Sequence, residues 1–219
     1  MSAGSGEPCQ RKGAAYYAAD RVDFLDWVGG NHERVLDVGC SSGSNAAWLR
    51  AHGARQIVGI EPDLASAELA RARYDLVLPM TVEDAIGRLD GPVDLVICAD
   101  VLEHLVDPWS VVRSLRPLMA PDGQLAISIP NIRYAPALLR IAFGRGFEYE
   151  PEGIFDATHL RFFARLNVSA MLGASGWTAR RWGGSPGRFG RLQRVAGRLT
   201  GGRADEWLIF QWYVVAVPG

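Results

Sequence analysis

The sequence is short of several residue types, and each shortage removes a chemistry. Lys12 is the only lysine among 23 basic residues. The GxxxxGK[ST] phosphate loop is therefore absent, which excludes P-loop nucleotide hydrolysis. Schiff-base catalysis would rest on an amine in a polar N-terminal tail, a poor place to desolvate it. The three cysteines, Cys9, Cys40 and Cys98, are an odd and widely spaced set. They suit neither a zinc site nor a secreted disulfide framework, and so point to a reducing compartment. No stretch approaches the roughly 18 apolar residues of a membrane span, and no signal-peptide core precedes the first helix. A cytoplasmic protein without stable membrane insertion is expected. A formal charge of -1 carries no basic excess for neutralising phosphates, which argues against a nucleic-acid partner.

What is present is an alternation. Apolar positions Tyr17, Val22, Phe24, Leu25 and Val28 recur at helical spacing before Gly29-Gly30. Strands are then expected at Arg34–Val38, Gln56–Ile60, Leu76–Leu78, Val93–Ala99 and Gln124–Ile129. Helices are expected between them at Ser44–His52, Leu64–Arg73, Val82–Leu89 and Trp109–Met119. The strand runs RVLDV, QIVGI, VDLVICA and QLAISI lack polar alternation, as parallel strands covered on both faces do. The pattern predicts a doubly wound, mostly parallel α/β sheet with helices on both faces. After Pro130 come a helix candidate at Tyr134–Phe143, a long polar stretch, and a helix at Arg165–Leu172. Two last strands, Trp177–Trp182 and Leu208–Val217, suit an antiparallel edge. Residues 1–12 read as a frayed tail and 13–219 as one domain. Two insertions interrupt it: 131–163, sized for a lid or binding wall, and the Arg/Gly-rich 183–206. The second carries Arg188, Arg191, Arg194, Arg198 and Arg203, with Phe189, Leu192, Val195 and Leu199 on another helical face. It reads either as an amphipathic cover packed on the domain or as a basic surface for an anionic substrate, partner or membrane.

The most informative stretch is Arg34-Val-Leu-Asp-Val-Gly-Cys-Ser-Ser-Gly43. A buried strand ends at Asp37, and Gly39 and Gly43 bracket a turn into a helix. Glycines let backbone pass close to a ligand, and a helix start offers unpaired N–H groups. The next strand ends in Glu61, whose carboxylate suits the two hydroxyls of a ribose. A dinucleotide site would want G-x-G-x-x-G, but Ser41 and Ser44 stand where the later glycines belong. An adenosine that carries an amino acid fits better.

The motifs VLDVGCSSG, VGIEPD, DLVICADVLEHLVDPW and MAPDGQLAISIPN resemble those of class I S-adenosylmethionine-dependent methyltransferases. The likeness is greatest to the ubiquinone-biosynthesis-type and small-molecule O-methyltransferase branch, and GIFDATHLRFF is similar to that branch's acceptor region. The resemblance implies a seven-stranded sheet and S-adenosylmethionine as cofactor. It implies that Asp37, Gly39, Cys40, Ser41 and Gly43 surround the methionine moiety, and that Glu61 with Pro62 holds the ribose. Glu83 or Asp84 would approach adenine, and Ala99 and Asp100 would line the cofactor. Apart from the resemblance, an aromatic face at Tyr17 (or Tyr16) suits closing over a sulfonium, with core packing as the alternative. Ser41 departs from the usual middle glycine.

For the reacting end, an imidazole is the natural base for a hydroxyl of moderate acidity. His104, in Asp100-Val-Leu-Glu-His104, and His159, in Asp156-Ala-Thr-His-Leu-Arg161, are the candidates, with Asp100 beside them. Asn131, Asp156, His159 and Arg161 are candidates for acceptor contacts. Asp100, Glu103 and His104 also resemble a set that holds a divalent metal in some relatives, although no metal is expected. The expected reaction is methyl transfer to a small-molecule acceptor, most simply a hydroxyl oxygen of a secondary metabolite, sugar or quinone-like compound. Amine, carbon or carboxylate acceptors stay open, and an oxidoreductase or a noncatalytic binding module is a weaker alternative. The oligomeric state is not written in the sequence.

Overall fold

The computed structural model describes residues 21–144 and 146–219. In chain order the described elements begin with α1 (Val22–Val28), β1 (Arg34–Val38), α2 (Ala46–Ala51), β2 (Gln56–Ile60), α3 (Leu64–Ala70), β3 (Leu76–Leu78), α4 (Val82–Ala85), β4 (Val93–Ala99) and α5 (Pro108–Leu115). They continue with β5 (Met119–Pro130), α6 (Ala135–Phe143), α7 (Arg165–Ala174), β6 (Trp177–Ser185), α8 (Gly190–Thr200), α9 (Asp205–Leu208) and β7 (Gln211–Pro218).

The strands form one sheet in the order β3-β2-β1-β4-β5-β7-β6. β1 pairs in parallel with both β2 and β4, in the registers Val38↔Ile60 and Val38↔Cys98. The direction of strand addition reverses between β1 and β4, and the carboxyl tips of the strands at such a reversal are where doubly wound sheets bind ligands. β7 runs antiparallel to β5 and to β6, so a β6–β7 hairpin closes that side of the sheet.

Why the strand runs carry no polar alternation is visible in the core. Successive residues feed opposite faces: Val35, Leu95 and Ile97 pack with Phe24, Leu25 and Leu49, whereas Leu36, Val96 and Cys98 pack with Val112, Leu115 and Met171. Both faces are dry, so the positions are apolar except where a buried polar group is hydrogen-bonded, as Asp37 is. The C-terminal carbonyls of α1, from Trp27 and Val28, accept hydrogen bonds from the Arg181 guanidinium at 2.7 and 2.6 Å. Arg181 also lies 4.3 Å above the Trp27 ring. A cation there satisfies orphan acceptors and complements the helix dipole.

Several boundaries differ from the sequence expectation. The expected helix Val82–Leu89 stops at Ala85 and continues as a 3-10 turn, Ile86–Arg88. Trp109–Met119 becomes α5 plus the 3-10 turn Arg116–Leu118, because Pro117 has no N–H to continue the helix. The last strand begins at Gln211 rather than Leu208, since Asp205–Leu208 forms the short α9. No helix among the described residues is long and apolar enough to cross a membrane.

Candidate functional site

The turn after β1 is built on backbone that side chains rarely adopt. Gly39, Ser41 and Gly43 have φ of +68°, 51° and +78°. A Cβ on Gly39 would stand 2.5 Å from Val101 Cγ2, so any side chain there would both strain the left-handed backbone and displace Val101. Ser41 occupies the left-handed region without glycine's freedom, at a cost on the order of 1 kcal/mol. Part of the compensation is a hydrogen bond from its N–H to Glu61 Oε2 at 2.9 Å.

Glu61 thus ties two strand tips together. Its Oε1 accepts from the Asp63 N–H at 2.9 Å, and the side chain is buried. Burial, the largest effect, raises its pKa, against those two N–H donors. Each carboxylate oxygen has lone pairs beyond the one used, so the same group can receive two hydroxyl donors from the crevice. Asp37, one strand away, is fully buried. Its Oδ2 accepts from Tyr74 Oη at 2.6 Å and from Asn45 Nδ2 at 3.0 Å. Desolvation pushes its pKa up to about 6 despite both donors. Burial and the adjacent Asp37 push the Tyr74 hydroxyl upward, so it remains a donor. Cys40 is buried behind this turn, and desolvation raises its thiol pKa, which suits a packing role rather than a nucleophile.

The other expected cofactor residues lie at the strand tips as the topology requires. Pro62 follows β2 and is exposed. Glu83 and Asp84 lie exposed in the first turn of α4, whose N-cap is Thr81. Ala99 ends β4. Tyr16 and Tyr17 lie outside the described residues. The donor set therefore fits a nucleoside-bearing cofactor: a buried carboxylate for a diol, a tight turn whose glycines leave the backbone bare of side chains, and acids beyond the third strand. S-adenosylmethionine would be held by these residues.

A second group forms just beyond β4. Glu103, His104 and His159 bring one ligating atom each within 4.8 Å of one another. The two imidazoles meet edge to face at 4.7 Å between ring centroids, and His159 Nε2 lies 4.0 Å from Glu103 Oε1. His104 Nδ1 lies 3.1 Å from the Thr158 carbonyl oxygen, and His159 Nδ1 lies 3.1 Å from that of Ile154. A carbonyl only accepts, so in both rings Nδ1 carries the hydrogen and a neutral ring keeps its lone pair on Nε2. The segment that brings His159 here is stitched down by backbone: the Leu160 and Arg161 N–H groups both donate to the Glu103 carbonyl, at 2.8 and 3.0 Å.

Four expectations need correction. Asp100 does not join the histidines. Its backbone is left-handed (φ 55°), and its carboxylate is ion-paired with Arg21 and accepts from Gln211 Nε2 and Ser128 Oγ. So engaged, it is not a base toward an acceptor, and the metal-type grouping is Glu103, His104 and His159 instead of Asp100, Glu103 and His104. Asn131 is fully buried, and its Nδ2 donates to the Glu206 and Ile209 carbonyls, so it fixes the entry to β7 rather than contacting an acceptor. Asp156 is buried and its Oδ1 accepts from the Thr158 N–H and Oγ1–H at 2.8 and 2.7 Å, which builds the turn that holds His104. The Arg161 guanidinium donates through Nη1 and Nη2 to the Leu160 and Val106 carbonyls, so it braces this segment. Sequence reasoning missed Asn45, Tyr74, Thr158 and Gln211. Only Asn45, a polar residue at a helix start beside the glycine turn, left a readable trace.

Comparison with known proteins bears on the family and the fold. Residues 10–181 match the family model described as a methyltransferase domain. The ubiquinone biosynthesis O-methyltransferase of Chromobacterium violaceum is 35% identical over 150 residues, covering 64% of this chain and 61% of that protein. Its counterpart in Aeromonas salmonicida is 30% identical over 171 residues, covering 71% and 69%. The chain thus spans about three fifths of the length of the first of these relatives. Among solved structures, a methyltransferase from Archaeoglobus fulgidus superposes with a TM-score of 0.62 at 15% identity, covering 89% of this chain and 91% of that one. Magnesium protoporphyrin IX methyltransferase from Synechocystis superposes with a TM-score of 0.60 at 19% identity, covering 90% and 80%. With the family model spanning most of its length on this seven-stranded sheet, the chain belongs to the methyltransferase domain family, in its class I fold.

Proposed function

We propose that this chain transfers a methyl group from S-adenosylmethionine to a hydroxyl oxygen of a small molecule, with His104 as the base. The observation that carries the reading is the pair of imidazoles beyond β4, each with Nδ1–H held by a backbone carbonyl. S-adenosylmethionine, when bound, supplies a methyl group already activated on sulfonium. The protein's work is then to bind, align, exclude water and remove one proton. Glu61 binds the ribose diol and, through Ser41, keeps the β1 turn closed over the methionine moiety. His104, the half-buried member of the pair, takes the acceptor proton at Nε2. His159, buried beside Glu103, places a carboxylate next to the positive charge that forms. Asp156 and Thr158 position His104. The 131–163 insertion walls the acceptor space, with Tyr134, Ile154 and Phe155 in a small apolar core beneath it. Relatives named for ubiquinone biosynthesis support a phenolic or quinol-type hydroxyl as the acceptor. Were a divalent cation to bind, Glu103, His104 and His159 would hold it, and its charge would acidify the hydroxyl.

The test is transfer from methyl-labelled S-adenosylmethionine across catechols, quinols, amines and carboxylic acids, with the labelled atom located by mass spectrometry. Label on oxygen, lost in both His104→Ala and His159→Ala, is expected. Label on nitrogen or carboxylate, unaffected by those substitutions, would reject the reading.

A further inference from the structure

The segment between β6 and β7 uses its helix in an unusual way. α8 is bounded by Phe189 and by Gly201, which takes the left-handed conformation at its C-terminus. Its inward stripe is Gly190, Gln193 and Gly197. Gln193 Nε2 donates to Asp205 Oδ1 at 2.7 Å, and a Cβ on Gly197 would lie 2.9 Å from that same oxygen. The helix therefore leans on α9 through its smallest residues. Its apolar stripe points the other way: Leu192, Val195 and Leu199 are 52%, 58% and 81% exposed. At 100° per residue Arg191, Arg194 and Arg198 form a second stripe directly beside it, all exposed. Arg188 and Arg203 extend the basic charge beyond both ends of the helix. Among the described residues none of these five arginines has a carboxylate partner, and Gly183 to Arg203 contains no acidic residue.

An amphipathic cover would bury its leucines against the sheet; this helix does the reverse. Exposed aliphatic residues interleaved with unpaired arginines complement a surface that is apolar below and anionic on top. Nucleic acid would use the arginines and leave the aliphatic stripe wet. We infer that α8 is a docking surface for an anionic lipid bilayer, with the aliphatic stripe entering the acyl boundary and the arginines meeting headgroups. Attachment is peripheral and in the membrane plane. It also sets an orientation, because the 3-10 turn leading into α8 packs through Phe189 onto Tyr134, 5.8 Å between ring centroids, at the base of the acceptor wall. α8 lies at the same end of the sheet as the tips of β1 and β4, since β7 starts where β5 ends. The acceptor side therefore faces the lipid.

The experiment is sedimentation of the full chain with vesicles of phosphatidylcholine alone or with about 30% phosphatidylglycerol. The expected result is binding to anionic vesicles that weakens as salt rises, with little on neutral ones. Each arginine near the surface is worth roughly fivefold in partitioning. Arg191→Gln/Arg194→Gln/Arg198→Gln should thus weaken binding on the order of a hundredfold. Leu192→Ser/Val195→Ser/Leu199→Ser should abolish it while leaving the arginines in place. All six side chains are exposed, so unchanged thermal melting serves as the fold control. No binding to anionic vesicles overturns the proposal. So does binding indifferent to the serine triple, binding of a single-stranded oligonucleotide as tight as that of vesicles, or concentration-dependent dimerisation removed by the serine triple.

Discussion

The two halves of the site are held in opposite ways. In the cofactor half, carboxylates bind the protein's own loops: Glu61 receives two backbone N–H groups and Asp37 receives Tyr74 and Asn45. Those partners come from the β1–β3 part of the chain. In the reacting half, backbone carbonyls hold the side chains, and the two histidines come from segments 54 residues apart in the Thr158–His104 contact. The first half is a rigid cradle made locally; the second exists only when the insertion has docked. Binding and chemistry should therefore fail separately.

The largest effect that would break this contrast is loss of the proposed base. His104→Ala is expected to lower kcat by roughly 10²–10⁴ with cofactor affinity unchanged by calorimetry. A parallel loss of affinity would mean that the halves are not independent. Glu61→Ala is expected to do the converse. Its charged hydrogen bonds are worth about 2–3 kcal/mol, so cofactor affinity should fall roughly 30- to 150-fold.

Asp37 sharpens the comparison through pH. Its folded pKa of about 6 lies above the ordinary carboxylate value near 3.8. The folded state holds that proton more tightly, so the associated stability is present below about pH 4 and lost as pH rises through 6. Wild type minus Asp37→Asn, measured by denaturant titration of the free protein, should decline by about 2–3 kcal/mol across that window. A flat difference would place the carboxylate in water. Thr158→Val should cost about tenfold in kcat, with binding intact, by loosening His104. Ser41→Gly should raise Tm by about 2 °C, because glycine accepts the left-handed turn and its own unfolded-chain entropy offsets part of the gain.

How much of this was legible depended on how far apart the partners lie. The apolar runs around Leu36, Val96 and Ile127 announced strands covered on both faces and so a doubly wound sheet, but not the order of its strands. The glycine turn and Glu61 were readable as candidates because each follows the end of a strand, in two successive strand–helix units. His104 and His159 were readable as residue types and unreadable as a pair, because only docking of residues 157–161 on the Glu103 carbonyl joins them. Asn131, Asp156 and Arg161 looked chemical for the same reason that they are structural: a long irregular segment leaves backbone groups unpaired, and polar side chains bond to them. Gln211 left no trace, since its contact with Asp100 depends on β7 entering the sheet beside β5. The 183–206 helix showed its two faces in sequence, but not which of them would turn outward.

The β6–β7 hairpin gives that helix a particular evolutionary freedom. Both strands finish their pairing with each other at Ser185↔Gln211, so everything between them is a tip hung from a completed ladder. Such a tip can change in length and polarity without re-threading the sheet, provided that Phe189 stays on Tyr134 and the Glu206 and Ile209 carbonyls stay on Asn131. Chimeras that graft only residues 190–203 onto a sister enzyme would then ask whether location travels with the tip while those anchors stay behind.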